Sequence, residues 1–200
     1  QQKFAQAQGL LQRGRAADAA LLCRQLLQAT PGEPNLQMLL ALALGRTGDR
    51  DGADRAYREA LKVSPKRADL LLNYGRFLRD TSRTEEAERQ LQRAVKLAPD
   101  LHPAWHTLGI LYLNTGRWAD AAQCAHRMTQ LGQNDPAGWE LLAAAAQKRG
   151  DVTGAVEVCR EGLKYAPNAP RLYYSLGQLQ RQNCEFAEAA AAYERARELG

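Results

Sequence analysis

Long apolar runs are missing from this chain: no stretch of its 200 residues approaches the roughly 18 consecutive apolar positions that cross a bilayer. Mean hydropathy is −0.50 and 24% of residues are charged, so a soluble protein with no membrane association is expected. The opening Gln1-Gln2 is not followed by a basic, apolar and small-residue progression, so no secretion signal is visible and the cytoplasm is the expected location. Paired cysteines are also missing. Cys23, Cys124, Cys159 and Cys184 are scattered without a CxxC, which excludes the common zinc modules and a disulfide scaffold and points to reduced thiols.

Catalytic signatures are equally scarce. The chain has no GxxxxGK[ST], GxGxxG or GxSxG, so it lacks the usual phosphate cradles and the hydrolase elbow. His102 and His106 share an H-x3-H spacing that could hold a metal on one helical face. Pro103, however, suits a first helical turn that leaves His102 outside the helix, and no glutamate follows His102 as in zinc proteases. His126 and Cys124 stand two apart on a helix and point different ways. Glu85-Glu86 suits the start of a helix, favoured by its dipole, better than an acid-base pair. No metal, no cofactor and no catalytic residue is expected, and the chain reads as a non-enzyme.

What the sequence does hold is apolar material, at 45% enough for a continuous core, and a net charge of +5. The charge is a local tilt. Residues 1–67 carry 11 Lys/Arg against 6 Asp/Glu, and residues 68–200 carry 16 against 16. A basic balance raises nucleic acid as a partner, but aromatic residues for base stacking are few and nucleic acid is not expected.

The chain repeats. Pro31, Pro65, Pro99 and Pro167 are spaced by 34 or twice 34, with Gln133 in the open slot. Twelve residues before each slot stand Ala19, Ala53, Ala87, Ala121 and Ala155, and the next step gives Ala189. Twenty-four before stand Ala7, Ala41, Gly75, Gly109, Ala143 and, one period on, Gly177. Such a period is the mark of stacked supersecondary units. Two amphipathic helices per unit are predicted, joined at turns such as Thr47-Gly48, Thr81-Ser82, Thr115-Gly116 and Asn183-Cys184, with the proline stopping the second helix. Small residues at the two constant slots let paired backbones approach, and Trp105, Leu108 and Tyr112 fall on one helical face as core. Cys23 and Cys159 take the large core position that Tyr57 and Tyr193 hold in other units, so they read as buried hydrophobes.

The stretch Trp105, Leu108, Gly109 and Tyr112, followed by Gly116 and Ala121, resembles the tetratricopeptide repeat, whose W-x2-L-G-x2-Y pattern and 34-residue period it matches. The resemblance covers residues 1–200 as six units, about 1–33, 34–67, 68–101, 102–135, 136–169 and 170–200. It implies one all-α, right-handed superhelical solenoid of about twelve antiparallel helices that acts as a protein-protein interaction scaffold. Its concave groove, lined by positions 2, 5, 9, 12 and 13 of each first helix, would take an extended peptide or partner protein. Those positions give Met38, Leu42 and Arg46 in the second unit, then Leu72, Arg76 and Arg79 in the third with Asn73 one place off. In the fourth they give His106, Ile110 and Asn114, flanked by Pro103 and Leu113. The fifth supplies Lys148 beside Glu140, Ala144 and Gln147, and the sixth Tyr174, Gln178 and Arg181 beside Arg171 and Gln182. The arginines suit carboxylates, so an acidic peptide is one expected partner.

Repeats that clamp the C-terminal carboxylates of chaperones carry lysine and asparagine at positions 5 and 9, asparagine at 6 of the next unit, and lysine and arginine at 2 and 6 of the third. Asn73 fits the middle requirement, but Met38, Leu42, Pro103 and Thr107 stand at its neighbours' places, which argues against a chaperone co-factor. Stacked repeats need polar caps, and the last helix, EFAEAAAAYERARELG, is rich in small apolar residues. That suggests a fragment of a longer polypeptide or self-association through the terminal face. Bacterial arrays rich in Arg, Ala and Leu often precede a transferase or oxygenase domain, so a substrate-recruiting role in a larger enzyme is the alternative function.

Overall fold

Each 34-residue period becomes a pair of antiparallel helices, and the reason can be read at its two breaks. In this computed structural model residues 2–200 are described, and among them there are twelve helices and no strand. Contacts group them into two compact units, the first ending at Ala98 and the second spanning Pro99–Gly200. The first unit holds α1 (Gln2–Gln12) with α2 (Ala16–Ala29), α3 (Pro34–Thr47) with α4 (Arg50–Val63), and α5 (Ala68–Asp80) with α6 (Thr84–Leu97). The second holds α7 (His102–Asn114) with α8 (Trp118–Leu131), α9 (Pro136–Lys148) with α10 (Val152–Tyr165), and α11 (Pro170–Gln182) with α12 (Phe186–Leu199). None of these helices is long and apolar enough to cross a membrane.

The first break is a left-handed residue. Gly14, Gly48, Gly116 and Gly150 have φ between 76° and 86°, and Ser82 and Cys184 take their place in the other two hairpins at φ 62°. The next amide reaches back five residues, as when Arg15 N donates to Leu10 O at 2.9 Å and Arg117 N to Tyr112 O at 2.9 Å. All six hairpins repeat that bond, so the last carbonyls of each first helix are satisfied although the chain reverses. The second break is set by proline, whose ring disfavours the helical region for the residue before it. Thr30, Ser64, Ala98 and Ala166 accordingly cap α2, α4, α6 and α10. Gln133 stands where a proline would, yet α8 stops at the same register because Gly132 is extended (φ −163°). New helices restart on Pro34, Pro136 and Pro170, or on carboxylate caps such as Asp49 and Asp151, which accept from Gly52 N and Gly154 N at 2.9 Å. α7 begins one residue earlier than expected, with His102 inside its first turn rather than ahead of it.

The constant small slots are the tightest points of the packing. Ala19, Ala53, Ala87, Ala121 and Ala155 have no exposed surface, and Ala189 has 3%. The glycine slots are closer still. A methyl on Gly75 would lie 2.7 Å from Leu91 Cδ2, and one on Gly177 would lie 2.9 Å from the Tyr193 ring. Leu91 and Tyr193 share the register of Tyr57, Cys23 and Cys159, so within a hairpin a small residue on the first helix faces a larger one on the second. Cys23 and Cys159 are fully buried, as their register predicts, and burial pushes their thiols up to about 11 and about 12. Leu108 and Tyr112 are buried, and Trp105 packs partly buried against the cluster of Met128, Leu141 and Leu142. Its indole N–H donates to Pro99 O at 2.9 Å, and Trp139 repeats the bond one period later to Gln133 O at 2.9 Å.

In the first unit, polar side chains join neighbouring hairpins. Tyr74 Oη on α5 donates to Asp54 Oδ1 on α4 at 2.8 Å, Arg83 reaches the same oxygen, and Arg58 pairs with Asp54 Oδ2 at 2.7 Å. Burial pulls the Asp54 carboxyl upward, but the hydrogen bonds from Tyr74 and Arg83 and the charges of Arg83 and Arg58 outweigh it and hold the group below its ordinary value.

Candidate functional site

In the second unit the first helices α7, α9 and α11 lie side by side, α9 touching both others. Because side chains three, four and seven residues apart share a helical face, His106 and Ile110 on α7 and Tyr174 and Gln178 on α11 arrive on one surface. They line an open groove of about 950 Å³. Its floor is apolar, built from Ile110, Leu113, Leu141 and Ala144. One wall comes from the second helix α12, where Tyr193 packs on Tyr174 with ring centroids 5.6 Å apart.

The groove holds three charged groups whose burial differs. Glu140 on α9 has a side chain only 18% exposed, and Arg171 on α11, 84% exposed, brings Nε to 3.3 Å from Glu140 Oε2. Burial pushes the Glu140 carboxyl above its ordinary value against the lowering charge of Arg171, and Asp135 adds to the rise. Arg197 on α12 lies on the rim with no ion-pair partner among the described residues. Apolar floor, aromatic wall and guanidinium rim can hold apolar side chains while donating to carboxylate or carbonyl oxygens.

The other expected site residues separate into distinct surroundings. Arg181 lines a small polar recess beside Gln178, Gln147 and Gln182. Asn114 and Lys148 are exposed at the ends of α7 and α9 and do not line the large groove. In the first unit Leu42, Arg46, Asn73 and Arg76 line a second hollow of about 510 Å³ together with Phe77 and Asp80. Two of these already serve the fold: Arg46 donates to Leu11 O at the end of α1 (2.7 Å), and Asn73 donates to Asp69 O (2.9 Å) and Met38 Sδ (3.5 Å). Met38 also receives Arg67 at 3.9 Å, Leu72 is buried at 5% exposure, and Arg79 pairs with Asp80 at 2.8 Å.

Reading only first-helix positions misses Tyr193, Ala196 and Arg197. The signal that could have found them is Gly177, whose missing side chain lets the Tyr193 ring approach α11. Among the described residues no group of three or more His, Cys, Asp or Glu side chains is placed to hold a metal ion. His102 instead lies 3.5 Å from Asp135 Oδ2. Cys124 is buried, with its thiol pushed up to about 12 by burial, while Cys184 is exposed at its turn.

Residues 6–132 match the family model described as the cilia and flagella-associated protein 70 middle TPR-like domain. Residues 106–170 and 141–200 match the tetratricopeptide repeat model. Among solved structures, the PilF protein of Pseudomonas aeruginosa is 25% identical, covering 96% of this chain and 86% of its own, with a TM-score of 0.79. A tetratricopeptide repeat protein from Parabacteroides merdae ATCC 43184 superposes with a TM-score of 0.80 at 17% identity, over 100% of this chain and 81% of its own. MamA from Desulfovibrio magneticus RS-1 gives a TM-score of 0.70 at 17% identity, over 83% and 94% of the two chains. Among curated protein sequences none matches this chain.

Proposed function

Because the chain belongs to the tetratricopeptide repeat family, whose fold is that of a protein-protein interaction scaffold, we propose that it works as a non-catalytic binding module that takes an extended segment of a partner protein in the groove of its second unit. The observation that carries this reading is the convergence of α7, α9, α11 and α12 on one apolar-floored groove of about 950 Å³. Its apolar floor suits the side chains of an extended segment, and the polar groups around it can meet that segment's backbone or carboxylates. The hollow of the first unit is smaller, about 510 Å³, and part of its polar lining is already bonded within the fold. That ranks the second unit first.

Selection of peptides from a random displayed library on the wild-type protein provides the test. Peptides so selected are expected to lose most of their affinity for an Ile110→Glu variant, which sets a charge on the groove floor, while the helical circular dichroism of that variant stays as in the wild type. Equal binding to both proteins would place the site elsewhere.

A further inference from the structure

The groove of the second unit carries an imbalance that goes beyond its shape. Glu140 is the sole carboxylate among its lining residues, and it is the most enclosed of the charged groups there. Its counter-ion, Arg171, touches it through one nitrogen at 3.3 Å and is otherwise in water, so the rest of that guanidinium fork is open to another acceptor. Arg197 adds a second positive charge on the rim. A cationic segment entering here would meet Arg197 and compete with Arg171 for one carboxylate. An acidic segment would find two guanidiniums, one of them exposed and held through a single nitrogen at 3.3 Å.

We propose that the groove takes an acidic, apolar segment of a partner protein, and that Glu140 takes up one proton from solvent as Arg171 turns to the incoming carboxylate. This rests on the reading of the groove as the binding site. The apolar side chains of the segment occupy the floor at Ile110, Leu113 and Leu141 and the ring of Tyr174, while its carboxylates pair with Arg171 and Arg197. Deprived of its cation and facing a second carboxylate, an enclosed Glu140 is shifted toward the neutral form. Burial already pushes it upward, in the direction that favours the uptake.

The groups around Glu140 are few. Arg171 faces it from α11, Asp135 from the N-terminus of its own helix, and Cys159 from α10, while His106 on α7 and Arg197 on α12 line the same groove. Cys159, with its thiol pushed up to about 12, carries no charge at neutral pH. His106 is the histidine of the lining, so it needs its own control.

The test uses fluorescein-labelled synthetic peptides of equal leucine and phenylalanine content, graded from acidic to basic, with binding followed by anisotropy and by calorimetry in buffers of different ionisation heat. Acidic members are expected to bind the wild type best, to bind several-fold more tightly as pH falls from about 7 to about 5, and to take up a proton. Glu140→Gln is expected to bind them more tightly at neutral pH with no proton uptake, His106→Gln to keep the uptake, and Arg171→Gln, altered at an exposed site, to bind several-fold more weakly. Preference for basic members, weaker binding by Glu140→Gln, or proton uptake that survives Glu140→Gln overturns this inference while leaving the groove in place. No binding by any member, or binding indifferent to Tyr174→Ala, overturns the groove reading and this inference with it.

Discussion

Replacing Ser82 with glycine should make the protein more stable. Ser82 sits at φ 62° in the turn between α5 and α6, in the register that Gly14, Gly48, Gly116 and Gly150 fill elsewhere. A residue with a Cβ in the left-handed region is strained by roughly 1–2 kcal/mol, and Ser82 is exposed, so the substitution removes little packing. Against this, glycine in the unfolded chain is freer, which costs about 0.5–1 kcal/mol. The net expectation for Ser82→Gly is a gain of about 0.5–1 kcal/mol, a rise of about 1–4 °C in Tm for a chain of this size. The reverse change provides the control. A methyl on Gly116 would meet no atom within 4 Å, so Gly116→Ala introduces backbone strain without a clash and should cost about 1 kcal/mol. Urea unfolding followed by circular dichroism measures both. If Ser82→Gly is destabilising while Gly116→Ala is neutral, the left-handed turn is not what shapes these hairpins.

Gln180, 4% exposed with Oε1 unpaired, stands in the register of Leu44 and Leu78, so Gln180→Leu should add about 1–2 kcal/mol of stability in the same urea assay. Ala121→Leu should cost about 1–3 kcal/mol by overpacking a slot with no exposed surface, read as a lowered Tm. Asp54→Asn, which breaks the links to Arg58 and Arg83, should cost about 2 kcal/mol at neutral pH. Because the folded carboxyl is held below the ordinary 3.8, its contribution is complete above that value and fades as pH falls through it and below. Wild type and Asp54→Asn should therefore converge in stability under strongly acidic conditions.

The packing was legible in the sequence to a finer degree than the binding surface. A 34-residue period in small residues and prolines reports repeated close approach of backbones, and each of those alanines is buried where the period places it. Proline and glycine act through their own backbone limits, so the helix ends at Val63 and Leu97 and the turns at Gly48 and Gly116 follow from local chemistry. Ser82 and Cys184 show that register can impose a left-handed turn where residue type does not favour it. The groove depends on side chains that answer to neighbours far along the chain. Arg46 looks like a ligand-facing cation by position and spends its hydrogen bond on Leu11 O, 35 residues away. Leu72 occupies a groove position and is buried. Tyr193 belongs to a second helix and reaches the groove because Gly177 lets it. None of these three outcomes can be read from a single unit's pattern.

The chain contains one isoleucine, Ile110, and two methionines, Met38 and Met128. Ile110 lies in the groove of the second unit, Met38 is a partly buried residue of the first unit, and Met128 is fully buried in the core. Selective 13C labelling of the isoleucine δ1 and methionine ε methyls therefore yields three NMR signals that report on groove, first unit and interior. Titration with a peptide selected for binding should shift the Ile110 methyl saturably and leave Met128 in place. A peptide that binds while the Ile110 methyl stays still would contradict the assignment of this groove as the binding site.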